Sequence, residues 1–219
     1  MAVYPLNSFI KGRDISRQGN KPGTLKAVRP AKGPDGKRGT AYRFFGRPDS
    51  YIEFPNSGPI DTKYSITILG WIFPEGGKGG PIFQYSPDKW GVHFWITGRR
   101  SRTLFARYAS RRSLAQTLPL RYRLPRLFRW YFVGTSYDYK TRIARLFVND
   151  RVVYQRKIGR NIQLATNFPV RVGVKKGDNR YYKGKIACLQ VYNMALSVKQ
   201  VIKRRRKCFS RTGNYVFYA

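Results

Sequence analysis

The chain has 219 residues, of which 42% are hydrophobic and 16% aromatic, which is enough to build one domain with a sizeable core. Lys and Arg number 44 against 10 Asp and Glu, so the formal net charge is +34, far beyond what solubility requires. No apolar run is long enough to span a bilayer, so the composition excludes a membrane-spanning helix and favours an anionic partner.

Residues 1–39 differ in amino-acid composition from the rest of the chain. They mix six glycines and four prolines with basic side chains, which is typical of irregular structure. We expect a basic N-terminal arm here, with one short strand near Tyr4–Ile10. Met1–Ile10 lacks the apolar core of a signal peptide, so we expect a mature or trimmed chain.

The middle of the chain contains two strongly apolar runs. Ile66–Phe73 and Val92–Ile96 are rich in β-branched and aromatic residues and read as strands buried on both faces, or nearly so. His93 lies within the second run, where an interior, hydrogen-bonded role is the commoner outcome for a lone histidine.

The stretch that follows Trp130 predicts a three-stranded antiparallel meander. Its strands are Trp130–Ser136, Arg142–Val148 and Arg151–Ile158, and they are joined by connections of hairpin length. Asn149 and Asp150 tolerate a positive φ and suit the tight second turn.

Two further strands and a helix are predicted beyond the meander. Val170–Val174 and Tyr181–Tyr192 are the strands, and Ser197 followed by Gln200 forms a capping-box signal for a short helix over Val198–Arg206. The tail at residues 209–219 is predicted to be one more edge strand.

These elements carry a family resemblance. The phrases WYFVGTSYDYKTRIARLFVNDRVV and VRVGVKKGDNRYYKGKIACLQVYNMALSVKQV, with Trp71 in an early central strand, resemble the laminin-G-like, concanavalin A-like jelly roll. The resemblance implies an all-β, two-sheet antiparallel β-sandwich with one short C-terminal helix. We place this domain at residues 40–208, between the arm at residues 1–39 and the tail. The same sandwich carries lectins, glycan hydrolases and spacers, so the resemblance predicts the fold more sharply than the function.

The resemblance also bears on the two cysteines, Cys188 and Cys208. Laminin-G-like domains often close their C-terminal end with a disulfide, which implies that these two are paired and that the compartment is oxidising. The alternative is a pair of unrelated buried thiols in a cytosolic protein.

The densest basic segment runs from residue 99 to residue 129 and contains no carboxylate. Its cations are all arginines, whose planar fork engages sulfate, phosphate or carboxylate oxygens bidentately. We expect a sandwich face that combines these arginines with two aromatic rings able to stack on a sugar. The predicted binding residues are Arg99, Arg100, Arg102, Arg107, Arg111, Arg112, Arg121, Arg123, Trp90 and Tyr108.

A secondary basic cluster follows at Lys203, Arg204, Arg205, Arg206 and Lys207. This run also fits a nuclear localisation signal, or simple compensation of the helix dipole.

Catalysis and metal binding are not expected. Glu53 and Glu75 are the only glutamates and lie far apart in the sequence, whereas jelly-roll glycosidases need two suitably placed carboxylates. Asp138, Asp150 and Asp178 are isolated loop acids amid strong positive potential, a poor setting for calcium. We therefore predict no catalytic residue, no metal and no cofactor.

Two functional classes fit these observations. The first is a non-enzymatic, secreted recognition or structural module that binds sulfated or carboxylated glycans or another polyanion, with self-association into a matrix or coat as a variant. The alternative is a nucleic-acid-binding or coat-type protein that presents the same basic surface to phosphate backbones. A native disulfide would favour the extracellular class.

Overall fold

A computed structural model describes residues 1–86, 88–98 and 102–209. The chain forms fifteen strands and one helix within this part. The strands are β1 (Ala2–Tyr4), β2 (Thr24–Lys26), β3 (Arg29–Ala31), β4 (Ala41–Phe45), β5 (Tyr51–Phe54), β6 (Ile66–Pro74), β7 (Gly80–Tyr85), β8 (His93–Thr97), β9 (Thr103–Arg107), β10 (Leu120–Arg123), β11 (Tyr131–Tyr137), β12 (Ile143–Val148), β13 (Arg151–Lys157), β14 (Val170–Val172) and β15 (Lys183–Tyr192), and the helix is α1 (Val198–Arg204).

The strands form two antiparallel sheets stacked as a sandwich. The eight-stranded sheet has the order β13-β12-β11-β6-β15-β4-β3, with β1 paired to β15, and the seven-stranded sheet has the order β10-β9-β8-β7-β14-β5-β2. The predicted jelly-roll-like sandwich and the β11-β12-β13 meander are therefore confirmed. Trp71 lies on β6, which is a central strand of its sheet, as expected.

The core lies between the sheets because each strand turns alternate apolar side chains inward. Phe44, Ile68 and Ile72 from the eight-stranded sheet meet Phe83 and Phe94 from the seven-stranded sheet in one continuous cluster. On β8 and β9 the inward positions are Phe94, Ile96, Leu104 and Ala106, so the residues between them point away from the core.

Residues 1–39, which were expected to form a largely irregular basic arm, contribute three strands to the sandwich. β1 pairs with β15, β2 with β5 and β3 with β4, so residues 1–39 add strands to both sheets. Tyr4 and Leu6 are fully buried in the core. The glycines and prolines suggested irregular structure, but the apolar side chains of Ala2, Tyr4 and Leu6 are buried between the sheets, and this burial decides the outcome.

Helix α1 covers the outer face of the eight-stranded sheet. Ser197 forms the predicted capping box with Gln200, and Val201 packs into an apolar cluster with Trp71, Phe132 and the two cysteines. Cys188 on β15 and Cys208 after α1 form the predicted disulfide. The tail or edge strand predicted at residues 209–219 lies outside the described residues, apart from Phe209. Among the described residues, no helix has the length and hydrophobicity of a bilayer span.

Candidate functional site

A cleft of about 620 Å³ lies on the outer face of the seven-stranded sheet. Strands β8 and β9 form its floor with the residues that alternate with the core positions, and Trp95 lies opposite Phe105 and His93 opposite Arg107 in the strand register. β10 extends the floor by one strand, with Arg121 opposite Phe105. The connections β7–β8 and β14–β15 bring Trp90 and Arg180 to the same cleft.

Aromatic rings line the cleft in direct contact with one another. The Trp90 ring lies 5.2 Å from His93 and 5.6 Å from Trp95, measured between ring centroids. His93 stacks on Phe105 at 5.8 Å with nearly parallel planes. Trp90 is half-buried, whereas Trp95 and His93 are almost fully covered. Trp90 and Phe105 are thus the rings that present area to a ligand.

Hydrogen bonds fix the deeper rings from below. The Trp95 indole Nε1 donates to Gln84 Oε1 at 2.8 Å, and Gln84 Nε2 donates to the Tyr85 carbonyl at 2.6 Å. The Gly91 carbonyl oxygen lies 2.8 Å from His93 Nδ1, so Nδ1 carries the proton of the neutral ring. Because Gln84 and His93 are buried, the cleft floor is held in one arrangement before any ligand arrives.

His93 is neutral at physiological pH. Burial lowers its pKa to about 4, and the positive charges of Arg107, Arg180 and Lys175 act in the same direction, against the hydrogen bond to Gly91. The cleft therefore keeps an uncharged ring among cations. The expectation that His93 is an interior, hydrogen-bonded side chain is confirmed.

Two arginines lie against the same aromatic ring, Phe105, at the rim of the cleft. The guanidinium carbons of Arg107 and Arg121 lie 5.2 Å and 5.5 Å from the Phe105 centroid. Burial is the main cause that lowers the pKa of Arg107, and the nearby positive charge of Arg121 lowers it further. The two guanidinium groups therefore repel each other. Arg107 donates to Gln116 Oε1 at 2.6 Å, and its buried Nε has no hydrogen-bond partner among the described residues. Neither arginine forms an ion pair within the described part of the chain.

The opposite side of the cleft also carries cations, but these are fixed. Arg180 lies 4.6 Å above the Trp95 ring and makes a two-pronged ion pair with Asp178. Lys175 lies 4.7 Å from the Trp90 ring, and its Nζ donates to the carbonyls of Asp88 and Lys176. Arg180 and Lys175 thus hold the tryptophans, while Arg107 and Arg121 retain donors for a ligand.

The structure brings three of the predicted binding residues together: Trp90, Arg107 and Arg121. Arg112 and Arg123 are exposed but do not line the cleft. Arg99 and Arg100 lie outside the described residues.

Three other predicted binding residues have structural partners instead. Tyr108 is fully buried and hydrogen-bonded to Thr135, so its ring cannot stack on a ligand, which corrects that prediction. Arg111 forms a two-pronged ion pair with Asp61, and Arg102 donates to the carbonyls of residues 124 and 125.

The secondary cluster lies on the other side of the sandwich from the cleft. Arg205 pairs with Asp150 at 2.6 Å and lies over the Trp71 ring, and Arg204 lies over Tyr192. Lys203, Arg206 and Lys207 are exposed. This cluster cannot share a ligand subsite with the cleft, because α1 covers the opposite sheet.

Sequence reasoning missed Phe105, Gln116, Lys175 and Arg180. Phe105 could have been found from its place two residues before Arg107 on one strand, which puts both side chains on one face. Lys175 and Arg180 gave no local signal, because only the pairing of β14 beside β7 brings their loop to Trp90.

The carboxylates are engaged in the fold. Within the part of the chain that the structure describes, six of the ten form ion pairs with arginines: Glu53, Asp61, Glu75, Asp49, Asp150 and Asp178. Within residues 1–86, 88–98 and 102–209 no group of three or more His, Cys, Asp or Glu side chains is arranged to hold a metal ion. None of the ten carboxylates lines the cleft.

A family model of the concanavalin A-like lectin/glucanases superfamily matches residues 45–202. The chain belongs to this superfamily. The match includes every cleft residue named above, and it confirms the laminin-G-like resemblance. No curated relative matches the sequence.

Several solved structures with the same fold are binding domains. The binding domain of botulinum neurotoxin serotype D/C is 11% identical with a TM-score of 0.72. The match covers 94% of this chain and 51% of the toxin domain. A structure of botulinum neurotoxin type C, whose cell entry depends on interaction with two ganglioside molecules, is 11% identical with a TM-score of 0.71, and the match covers 96% of this chain and 51% of the toxin chain. This chain thus spans about half the length of those domains.

Domain 4 of an extracellular arabinanase from Geobacillus stearothermophilus, solved with arabinotriose, matches at nearly full length on both sides. It is 19% identical with a TM-score of 0.67, and the match covers 93% of this chain and 96% of the arabinanase domain. At these identities the likeness establishes the fold.

Proposed function

We propose that this chain is a non-enzymatic, extracellular carbohydrate-binding module that takes a sulfated or carboxylated glycan into the cleft of the seven-stranded sheet. The observation that carries the proposal is the pair Arg107 and Arg121, which share the Phe105 ring without a carboxylate partner beside the half-buried Trp90.

The arginine pair needs an anion for electrostatic reasons. Two guanidinium groups against one ring repel each other, and Arg107 has also lost hydration through partial burial. A sulfate or carboxylate placed between them would relieve both costs and accept hydrogen bonds from each fork. In free protein, Gln116 satisfies one donor of Arg107 and leaves others open.

The aromatic side of the cleft supplies the surface for a sugar ring. The C–H face of a pyranose is apolar enough to pack on Trp90 or Phe105, and the cation below Trp90 holds that ring in place. A volume of about 620 Å³ lies within the usual range of small-ligand pockets. The cleft thus offers an apolar platform next to paired cations, which suits an acidic sugar better than a neutral one.

Three further findings support the proposal. The fold is shared with a neurotoxin whose cell entry depends on ganglioside molecules and with a domain solved with arabinotriose. The disulfide suits an oxidising, extracellular compartment. Ion pairs to arginine occupy Glu53 and Glu75, the only two glutamates, which argues against a role for either as catalytic acid or base.

The test is a competition between anions of different geometry across a salt series. Heparin, desulfated heparin, polyglutamate and a random DNA duplex are each titrated from low salt to well above physiological salt. We expect heparin to remain bound at a salt concentration that releases polyglutamate and DNA, because a shaped site adds contacts that salt does not screen. Release of all four at the same salt would show a generic polycation, and tighter binding of DNA would favour nucleic acid as the partner.

A further inference from the structure

A second pocket adjoins the cleft and shares one residue with it. Its volume is about 350 Å³, and it lies between the loop that precedes β10 and the end of β13 with the loop that follows it. Gln116 lines both pockets. Because Gln116 also accepts the hydrogen bond from Arg107, the cation pair of the cleft stands at the junction between the two pockets.

The second pocket combines cations with apolar surface, as the cleft does. Arg156, Lys157 and Arg160 line one wall, and none of them forms an ion pair or a side-chain hydrogen bond with another described residue. Leu118 lines the other wall and is 67% exposed, so it presents apolar surface to the pocket. No carboxylate is among the lining residues.

We infer that the two pockets form one continuous groove, in which the second pocket is an additional subsite for the same anionic glycan. This inference rests on the proposed function, since it extends the cleft rather than replacing it. The ligand is then an internal stretch or a long end of a polyanionic chain. Its anionic groups meet Arg107 and Arg121 in the cleft, and Arg156 and Arg160 beyond Gln116.

The charge pattern favours a polymer over a small acidic sugar. A monosaccharide held at Arg107 and Arg121 would leave the cations of the second pocket without a counterion, whereas a chain with one anionic group per repeat can neutralise both sets. Each subsite adds free energy without a second loss of translational freedom, so affinity should rise with chain length until both pockets are filled.

Chain length and two variants test this inference. Heparin-derived and oligogalacturonate chains, from disaccharide to dodecasaccharide, are titrated at fixed ionic strength while the fluorescence of Trp90 and Trp95 reports filling of the cleft. The test variant is R156S/R160S. The matched control is R13S/R38S, which removes the same charge from two exposed arginines that line neither pocket.

We expect the long chains to bind the wild type more tightly than the short ones. R156S/R160S should lower the affinity for long chains by about tenfold and leave the affinity for the shortest chains that quench tryptophan unchanged. The affinity of this variant should therefore no longer depend on chain length. The control should bind long chains within about twofold of the wild type.

Two different results would overturn the inference, and they are distinguishable. If short and long chains quench tryptophan with equal affinity, or if both variants weaken long chains equally, the second pocket is no subsite although the cleft is a glycan site. If no chain quenches tryptophan in the wild type, the proposed function itself fails, and the inference fails with it.

Discussion

Arg121 and Arg123 differ in one respect that bears on ligand binding. Both lie on β10, two residues apart, and point away from the core, but only Arg121 lines the cleft and lies over Phe105. Arg121→Ser should weaken heparin binding by about tenfold, because it removes a charged donor to the anion. Arg123→Ser should change it by less than about twofold. Equal losses in the two variants, measured by calorimetry, would show that charge alone decides binding.

His93 gives the protein a predictable dependence on pH. Its pKa is about 4 in the folded chain, below the ordinary value of 6.5, so the unfolded chain binds more protons between these values. The contribution of His93 to the free energy of unfolding is therefore fully present above pH 6.5 and is lost progressively as the pH drops toward 4. Below pH 4 the titration of His93 causes no further loss. Between pH 7 and pH 5 the loss should be about 2 kcal/mol.

Urea unfolding at pH 7 and pH 5 measures this loss, with His93→Asn as the comparison. No other side chain of the chain has its ordinary pKa in this interval, since His93 is the only histidine. The N-terminal amine is common to both proteins and cancels. An identical loss in the wild type and the variant would contradict the assignment of a buried, neutral His93.

Arg111 should matter for folding rather than for binding. Its guanidinium is held by both oxygens of Asp61, by the Leu164 carbonyl and by Thr166, and both partners are largely buried. Arg111→Ser should lower the free energy of unfolding by about 2 kcal/mol, because it leaves Asp61 without its counterion. Arg112→Ser, at the exposed neighbour, should change stability by less than about 0.5 kcal/mol. Thermal unfolding measures both, and a stable Arg111 variant with weaker heparin binding would contradict this account.

The disulfide ties α1 to the sheet it covers. Cys188 and Cys208 close a loop with a sequence separation of 20 residues that contains the whole helix. C188S/C208S should lower the free energy of unfolding by about 3 kcal/mol, because the unfolded chain regains the freedom of that loop. Heparin affinity should be unchanged, since the cleft lies on the other sheet. Loss of binding in a variant that still folds would show that the basic cluster beside α1 contributes to the site.

The elements that the sequence predicted best are those with local signals. The β11-β12-β13 meander follows from apolar runs joined by short polar turns, and α1 follows from the pair Ser197 and Gln200. A short strand was expected near Tyr4–Ile10, close to β1, but β2 and β3 were missed because three-residue strands depend on partners far along the chain, such as β5 for β2. Burial of Tyr4 at the core outweighed the local glycine and proline signals.

The candidate site was predictable only in part, for a related reason. Arg107, Arg121 and Trp90 could be chosen from charge, strand position and turn chemistry. Tyr108 was misassigned because a ring next to an arginine in the sequence can face either side of a strand, and here it faces inward to Thr135. Arg180 approaches Trp95 from the β14–β15 loop, which only the order of strands in the sheet reveals.

A few of the cations of this protein neutralise carboxylates, and the others form a large positive excess. The ten carboxylates cannot neutralise 44 cations, and six of them are committed to arginines that stabilise loops and strands. The remaining excess opposes compaction, and a polyanion would reduce that cost wherever it binds. A glycan should therefore occupy the cleft before it occupies any other basic surface.

The four tryptophans make that claim directly measurable. Trp90 and Trp95 line the cleft, whereas Trp71 and Trp130 pack on the eight-stranded sheet. In a nitrogen-15 NMR titration with a short heparin oligosaccharide, the indole N–H signals of Trp90 and Trp95 should move together and saturate, while those of Trp71 and Trp130 stay in place. Movement of the Trp71 signal first, or equal movement of all four, would place the ligand elsewhere and contradict the account.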